Sequence, residues 1–326
     1  MEINDIVYGK YEIDDPVLID IINSKPLQRL KGIYQAGASR YVFNKNITRF
    51  EHSVGVMILL KIMGASIEEQ IAGLIHDIPH TAFSHTIDFV FKNENHDYHE
   101  QFHEKLILNS EIPEILIKHG YDVKYFLDEK NFPLLEKSIP DLCADRIDYT
   151  LRDAFELLEN KENIKEYVKE YIDNLMIYNN EFIFKNKEIA KKFAEDYLKF
   201  DDLSWANPID VAIYQVMADA IKIALNENIL NQDDIFSDDD FVYDKLKNSN
   251  NKSILEKLNM LNKNFKVKVD KNDPDIIGKS KLRNIDPKSY NNGDVKRASE
   301  FYPDYKEKLE EHNKKVLEGY HIKIIK

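Results

Sequence analysis

The chain has 326 residues, of which 43% are hydrophobic and 32% charged, which suits a packed core and excludes global disorder. Its formal net charge of −13 disfavours extended nucleic-acid binding, because so acidic a surface repels phosphate backbones. The single cysteine, Cys143, excludes an intramolecular disulfide and fits a reducing compartment. The polar N-terminus and the short apolar runs predict a cytoplasmic protein with neither a secretory signal nor a membrane span.

The first half of the chain is predicted to be mainly helical after a short strand-like start. Helices are predicted at residues 16–24, 26–35, 50–63, 67–78 and 140–159, with helical pieces between 81 and 139. Segment 37–43, which contains a glycine and several aromatic residues, predicts a loop. Ser66 followed by Glu69 is a capping-box pattern, and Pro79 ends or bends the helix that Ser66 opens.

The second half is predicted to mix helices with short strands. LMIYNNEFIF (175–184) alternates around two asparagines and predicts a β-hairpin, and the next helices are predicted at 186–200 and 208–226. The charge-dense segment 226–240 predicts a surface loop or linker. Short helices and strands then predict a small α+β appendage, so the expected fold is a mostly α helical bundle with that appendage and one hairpin.

Six of the ten histidines lie between residues 52 and 99, and three of them fall in HDIPHTAFSH, residues 76–85. Asp77 follows His76 directly, and neighbouring helical side chains point about 100° apart. The two can therefore share an ion only with ligands from other segments, for which His52 and Asp145 are candidates. Two imidazoles and two carboxylates suit one divalent ion such as Mn, Fe, Co, Ni or Zn, with Mg an additional ion bound with nucleotide phosphates. Considered alone, each of these residues is more readily explained as a surface or helix-packing residue. The combination of all four favours a metal site.

Three blocks of this sequence resemble those of a known enzyme family: RFEHSVGV (49–56), HDIPHTAFSH (76–85) and DRIDYTLRD (145–153). They resemble the signature blocks of HD-domain phosphohydrolases, and more narrowly the deoxynucleoside triphosphate triphosphohydrolase branch. QRLKGIYQAGASRYVF (28–43) and HEQ (99–101) extend the resemblance. It implies an HD-type helical catalytic domain at 1–225, with its core motifs at 49–153, and an α+β region at 226–326.

The resemblance also implies roles for individual residues. The residues that match the family's metal ligands are His52, His76, Asp77 and Asp145. Those that match its catalytic histidines and their carboxylate are His80, His85, Asp88 and His99, with His96 and His103 as competitors for the last position. Those that match its nucleotide contacts are Gln35, Arg49, Arg146, Tyr149 and Asp153. His85 would protonate the leaving oxygen, with its pKa raised by Asp88.

Two features of the sequence leave alternatives open. The polar residues of DRIDYTLRD fall on one face of the predicted helix. Without the resemblance, such a face is more typical of one that contacts solvent. Arg152 on this face nevertheless offers a cation for phosphate. Trp205 lies near the place where the family has a Tyr-Gln pair, and it could anchor the core or stack on a base. Ala36 stands where the branch has a larger apolar residue near the sugar.

The predicted activity is metal-dependent hydrolysis of (deoxy)nucleoside triphosphates to nucleoside and tripolyphosphate. One alternative is a nucleotide phosphatase or pyrophosphohydrolase acting on mono- or diphosphates. Another is a catalytically inactive nucleotide-binding sensor or scaffold, which the presence of all four candidate ligands disfavours. The resemblance further predicts a homo-oligomer, and it leaves the metal and the base preference open.

Overall fold

An antiparallel hairpin and a series of helices form the N-terminal part of the computed structural model, which describes residues 1–93, 97–158, 163–291 and 293–325. The elements are β1 (Glu2–Asp5), β2 (Gly9–Glu12), α1 (Pro16–Asn23), α2 (Lys25–Arg29), α3 (Arg40–Phe43), α4 (Arg49–Ile62), α5 (Ile67–Ile75), α6 (Thr86–Phe91), α7 (His103–Leu108), α8 (Ile112–Lys118) and α9 (Ala144–Leu157). Side-chain caps begin α4 and α5: Thr48 and Glu51 form a capping box on α4, and the Ser66 hydroxyl accepts from the Glu69 amide on α5.

The middle of the chain contains the predicted hairpin between long helices. Its elements are α10 (Ile164–Asn174), β3 (Leu175–Tyr178), β4 (Glu181–Phe184), α11 (Lys187–Phe200) and α12 (Pro208–Asn226). Asn179 and Asn180 both have positive φ, at 51° and 58°, which asparagine tolerates better than most residues. The hairpin prediction is therefore confirmed. A π-helical turn at Asp201–Trp205 follows α11.

The C-terminal part combines four helices with strands from two sheets. Its elements are α13 (Asp239–Lys247), α14 (Lys252–Met260), β5 (Lys266–Val269), β6 (Ile276–Gly278), β7 (Lys288–Asn291), β8 (Asp294–Arg297), α15 (Ala298–Phe301), α16 (Pro303–Glu318) and β9 (Tyr320–Ile325). One sheet has the order β5-β9-β6 and the other β3-β4-β7-β8, in which β4 and β7 are parallel. The second sheet therefore ties the C-terminal region to the central hairpin, while the predicted boundary near residue 225 stays a prediction.

Helix α4 lies at the centre of the larger of two apolar clusters. Its residues 54 and 56–60 are all buried, and it packs against α5 on one side and α9 on the other. Burying a side chain such as Leu59 or Leu60 contributes about 1.5–3 kcal/mol. The second cluster surrounds α12. The mostly helical fold class is thus confirmed, and no helix in the described ranges is long and apolar enough to cross a membrane.

Several predicted boundaries were wrong, and backbone geometry explains them. Segment RYVF is the short helix α3, not a loop. Helix α2 ends at Arg29 because the chain continues as a 3₁₀ turn, after which Tyr34 forms an antiparallel β-bridge with Thr48. Helix α5 ends at Ile75, before Pro79, and α9 begins only at Ala144. Within residues 138–143, the Pro140 carbonyl instead accepts a hydrogen bond from the Asp286 amide. The predicted end of α9, at residue 159, lies outside the described residues.

The predicted surface linker at 226–240 partly packs onto the body. Ile235 is buried and its carbonyl accepts from the Ala82 amide at 2.8 Å. Asp239 is fully buried and its carboxylate accepts from the amides of Phe83, at 2.7 Å, and Tyr34, at 3.2 Å. The linker therefore braces the turn that carries HDIPHTAFSH, which its charge alone did not reveal.

Asp239 is expected to make stability fall as the pH rises. Burial raises its pKa to about 7, whereas an unfolded aspartate titrates near about 4. Between these pH values the folded protein retains a proton that the unfolded chain has lost, so the contribution of Asp239 to the free energy of unfolding decreases from about pH 4 to about pH 7. Asparagine keeps one acceptor and cannot ionise, so Asp239→Asn should flatten this part of the pH profile in urea denaturation. Asp240→Asn, at an exposed neighbour, is the control, and equal slopes in both variants would contradict the prediction.

Candidate functional site

Three segments bring His52, His76, Asp77 and Asp145 together. His52 lies in the first turns of α4, His76 caps the end of α5, and Asp145 lies in the first turn of α9. The Nε2 atom of His52 is 2.9 Å from Asp145 Oδ1, and the Nε2 atom of His76 is 3.8 Å from the same oxygen. The two oxygens of Asp77 lie 3.5 Å from His76 Nε2 and 3.9 Å from His52 Nε2. His52, His76 and Asp77 thus have ligand atoms within 4.8 Å of one another, and Asp145 lies beside both histidines.

This donor set fits a divalent transition ion. Nitrogen and oxygen ligands lie about 2.0–2.2 Å from such an ion, so neighbouring ligand atoms lie roughly 3–3.5 Å apart. The His76 ring supports the fit: its Nδ1 is 2.8 Å from the Gly73 carbonyl, which fixes the ring, while its buried Nε2 has no hydrogen-bond partner among the described residues. An ion would satisfy that atom. Imidazole and carboxylate together suit several first-row ions equally.

The positively charged groups of the cluster favour the ionised form of its carboxylates. Burial alone would raise the pKa of Asp77, but the guanidinium of Arg49, 2.7 Å from Asp77 Oδ2, and the neighbouring His76 hold it well below its usual value. Burial would lower the pKa of His52, but its hydrogen bonds with Asp145 and Asp148 raise it to about 10. A metal that binds His52 Nε2 must therefore displace a tightly held proton.

Behind His52 lies a buried ion-pair network that sequence reasoning missed. Asp148 Oδ2 is 2.8 Å from His52 Nδ1, and Asp148 also accepts from Arg152 and, at 2.9 Å, from the Tyr8 hydroxyl of the N-terminal hairpin. Arg152 pairs in turn with Asp5 at 3.0 Å. Both Asp148 and Arg152 are completely buried, so the alternative of a solvated face does not hold for these two residues. Arg152 pairs with Asp148 and Asp5 and does not line the cavity described below. The sequence did offer one signal for this pair, because Asp148 and Arg152 are oppositely charged residues one helical turn apart on the same helix.

Gly55 makes room for this network. A Cβ atom built on Gly55 would lie 1.9 Å from a terminal nitrogen of Arg152 and 2.3 Å from an oxygen of Asp148. Side-chain atoms do not approach so closely, so α4 and α9 can share this ion pair only with glycine at position 55.

Next to the four-residue group, three histidine rings lie in contact. The rings of His80 and His99 stack with centroids 3.6 Å apart, and the ring of His85 meets both edge-on at 5.2 and 5.4 Å. His80 Nε2 lies 3.3 Å from Asp77 Oδ1, which joins the rings to the four-residue group. Of the predicted alternatives to His99, His103 lines the same cavity but makes no ring contact with these three histidines in the described part of the chain. His96 lies outside the described residues.

Turn geometry, not a helix, positions these rings. Helix α5 has ended before His80, and Phe83 and Ser84 have positive φ of 59° and 50°, a conformation that L-residues rarely adopt. The Ser84 hydroxyl donates to the Tyr34 carbonyl and accepts from Arg49 Nε, both at 2.8 Å. This bracing holds the strained turn, and with it His80 and His85, beside Arg49.

His85 and Asp88 are paired as predicted, but the expected effect on the pKa is wrong. His85 Nδ1 is 3.0 Å from Asp88 Oδ2. Burial, followed by the positive charge that His80 and His99 would carry, lowers the pKa of His85 well below its ordinary value. Burial also raises the pKa of Asp88 to about 7 and lowers that of His80 to about 3. Burial therefore favours the neutral form of all three rings, even though the Asp77 carboxylate lies beside His80.

One cavity of about 550 Å³ joins all of these groups. Among the predicted site residues, those that line it are Gln35, Arg49, His52, His76, Asp77, His80, His85, His99, Asp145, Arg146, Tyr149 and Asp153. Asp88 lies behind His85. At one end Trp205 donates to Asp153 at 2.7 Å and packs edge-on against Tyr149, so it anchors the wall of the cavity as well as the core beneath.

Comparisons with known proteins identify a domain family and several sequence relatives. Residues 49–153 match the HD domain family. The chain is 41% identical to the uncharacterized protein YdhJ of Bacillus subtilis, and the match covers both proteins completely. The metal-dependent phosphohydrolase cns2 of Cordyceps militaris is 34% identical over 65% of this chain and 63% of its own length. The deoxynucleoside triphosphate triphosphohydrolase SAMHD1 of Gallus gallus is 30% identical over 49% of this chain and 31% of its own length.

A solved structure shows the same fold. The phosphohydrolase from Bacteroides thetaiotaomicron superposes with a TM-score of 0.69 at 20% identity, covering 99% of this chain and 98% of that one. At this identity the likeness concerns the fold alone. The family match and the sequence relatives show that this chain belongs to the HD-domain phosphohydrolase superfamily.

Proposed function

We propose that the protein hydrolyses (deoxy)nucleoside triphosphates at the α-phosphate and releases nucleoside and tripolyphosphate. The observation that carries the proposal is one cavity, which joins the four-residue donor group, the three contacting histidine rings and a region lined by aromatic and acidic side chains. A nucleotide fits such a cavity because it carries phosphates, a sugar and a base in that order. The SAMHD1 relatives, whose names state this activity, support the choice of triphosphates.

In this proposal His52, His76, Asp77 and Asp145 hold one divalent ion. Such an ion acts as a Lewis acid toward a phosphoryl oxygen and lowers the pKa of a water molecule. The protein's own task is to hold the donors in place. Asp148 fixes the ring of His52 through its Nδ1, and the His76 ring is fixed by the Gly73 carbonyl.

The neighbouring histidines would handle the phosphate and the proton. His80 and His99 each have a buried Nδ1 without a hydrogen-bond partner among the described residues, so both have bonding capacity for a ligand. Negative phosphate oxygens beside the rings would raise the pKa of His85, which burial otherwise lowers. Since Asp88 is bonded to Nδ1 of His85, Nε2 is the atom that would protonate the departing nucleoside oxygen.

The other end of the cavity would hold the nucleoside. The buried Oε1 of Gln35 has no partner among the described residues and can accept from a sugar hydroxyl. Tyr149, Asp153 and Trp205 line the same end, where an aromatic ring beside a carboxylate suits a sugar and a base. Ala36 lines the cavity beside Gln35, and its small side chain leaves room at the sugar.

One observation favours a second candidate, a phosphatase or pyrophosphohydrolase for nucleoside mono- or diphosphates. Arg49 is already bonded to Asp77 and Ser84, and Arg146 donates to the Asp141 carbonyl at 2.9 Å and faces Glu136. Two of the predicted phosphate-binding cations are therefore partly engaged within the protein, which suits a substrate with fewer phosphates.

Identifying the phosphate product separates the two candidates. The full-length protein is incubated with Mn²⁺ and a panel of ribo- and deoxynucleotides carrying one, two or three phosphates. We expect tripolyphosphate from triphosphates, no product after chelation, and recovery when the metal is restored. Pyrophosphate or orthophosphate as the first product would support the second candidate. Nucleotide binding without any product, with Mn, Fe, Co, Ni, Zn or Mg, would overturn both and favour a sensor or scaffold.

A further inference from the structure

A segment from the C-terminal region forms part of the cavity wall, far outside the sequence blocks that carry the family resemblance. Residues 280–283, which we call the strap, connect β6 to β7 and line the cavity together with the histidines and Tyr149. The strap brings two cations, Lys281 and Arg283, to the cavity. It also brings Ser280, whose buried hydroxyl has no hydrogen-bond partner within the described ranges.

The strap is held firmly at the residues that follow it. The Asn284 side chain donates to Asn313 at 2.8 Å, and the Tyr305 hydroxyl donates to the Ile285 carbonyl. The Asp286 amide donates to the Pro140 carbonyl at 2.8 Å. Ile285 is completely buried in the main apolar cluster. Because these contacts exist independently of any ligand, the protein holds Arg283 at the cavity in advance.

Arg283 lines the same cavity as His85, Tyr149 and Tyr214. Its positive charge acts to lower the pKa of each of these three groups, although burial makes the largest contribution to each pKa. Asp201 is the carboxylate with the largest influence on Arg283, and it is already bonded to His312 at 2.8 Å.

The guanidinium of Arg283 has no ion pair or hydrogen bond to any residue in the described ranges. Lys281 has one carboxylate nearby, that of Glu100 at 4.0 Å. Arg49 and Arg146, by contrast, are bonded within the protein. Arg283 is half-buried and lines the cavity, so its guanidinium donors are available to an anionic ligand there.

We propose that Lys281 and Arg283 form an anion subsite that binds phosphate oxygens of the substrate, so that the C-terminal strap completes the active site. Ser280 would add a hydroxyl donor to the same group. Arginine suits this role because its planar donors can bind two phosphate oxygens together. The identification of this anion as part of a nucleotide rests on the proposed function. The binding of phosphate by the subsite does not depend on the proposed function.

The test measures binding separately from turnover. The Mn²⁺-loaded full-length protein is titrated calorimetrically with orthophosphate, pyrophosphate and tripolyphosphate. We expect Arg283→Gln to weaken tripolyphosphate binding about tenfold or more, the effect of losing a charge-assisted hydrogen-bond pair. Arg283→Lys should retain part of the affinity, and Lys281→Gln should weaken binding less than Arg283→Gln. Lys279→Gln, the same charge change at an exposed position two residues before Lys281 and outside the cavity, is the matched control and should bind as the wild type does.

The outcomes separate this proposal from the proposed function. If Arg283→Gln and Lys281→Gln bind tripolyphosphate as tightly as Lys279→Gln does, or if the wild type binds no phosphate, the subsite is overturned even though nucleotide hydrolysis stands. If binding depends on Arg283 but no nucleotide is hydrolysed, the subsite stands and the proposed function fails. Lys281 is about 39% exposed, so Lys281→Gln provides the test should Arg283→Gln not fold.

Discussion

Replacing His76 by alanine is expected to abolish metal binding and hydrolysis together. His76 Nε2 is a buried nitrogen without a hydrogen-bond partner in the described ranges, and it lies within 4 Å of both Asp77 and Asp145. Loss of a group that merely supports a ligand lowers metal affinity about 10–100-fold, so loss of a ligand should exceed about 100-fold. The metal content of purified protein and the Mn²⁺ dependence of the melting temperature check this without an activity assay.

His119→Ala is the matched control for this prediction. His119 lies outside the cavity and is bonded to Asp20 at 2.7 Å, so its loss removes a histidine without touching the four-residue group. The wild type and the control should melt at higher temperature as Mn²⁺ is added, because a ligand that binds only the folded state stabilises it, whereas His76→Ala should not. Stoichiometric metal bound to His76→Ala with unchanged affinity would exclude this metal site.

Replacing Gly55 by alanine is expected to destabilise the protein by about 3–5 kcal/mol, although only one methyl group is added. The new Cβ would meet Arg152 at 1.9 Å and Asp148 at 2.3 Å, so these side chains must separate. Each is completely buried, and a buried charge that loses its partner is costly. Because Asp148 also fixes His52, metal affinity should fall as well.

Urea denaturation measures this effect, with Ser53→Ala as the control in the same helix. Ser53 is buried and its hydroxyl has no hydrogen-bond partner in the described part of the chain, so alanine there removes only an unpaired polar group. Ser53→Ala should therefore unfold at nearly the wild-type urea concentration. An unfolding free energy for Gly55→Ala within about 0.5 kcal/mol of the wild type, the range of neutral surface substitutions, would show that the ion pair tolerates separation.

The elements of regular periodicity could be predicted from the sequence alone. Helices α4, α11 and α12 and the hairpin at 175–184 were predicted to within a few residues, because each depends on local features: caps, apolar spacing and a pair of asparagines. After α5 the chain continues in local turns up to His80. The other missed boundaries, at the end of α2 and the start of α9, lie beside backbone hydrogen bonds to other segments. Local patterns carry no information about such partners.

The candidate site divides in the same way. The types and spacing of His52, His76, Asp77 and Asp145 in the sequence indicated a metal site, because two imidazoles and two carboxylates suit a divalent ion. The resemblance of the three sequence blocks then indicated a metal-dependent phosphohydrolase. Only the tertiary structure showed that Asp148 on the polar helix face is buried and that burial lowers the pKa of the neighbouring histidines. It alone also brought the strap to the cavity, since desolvation and contacts between distant segments arise only when the chain is packed.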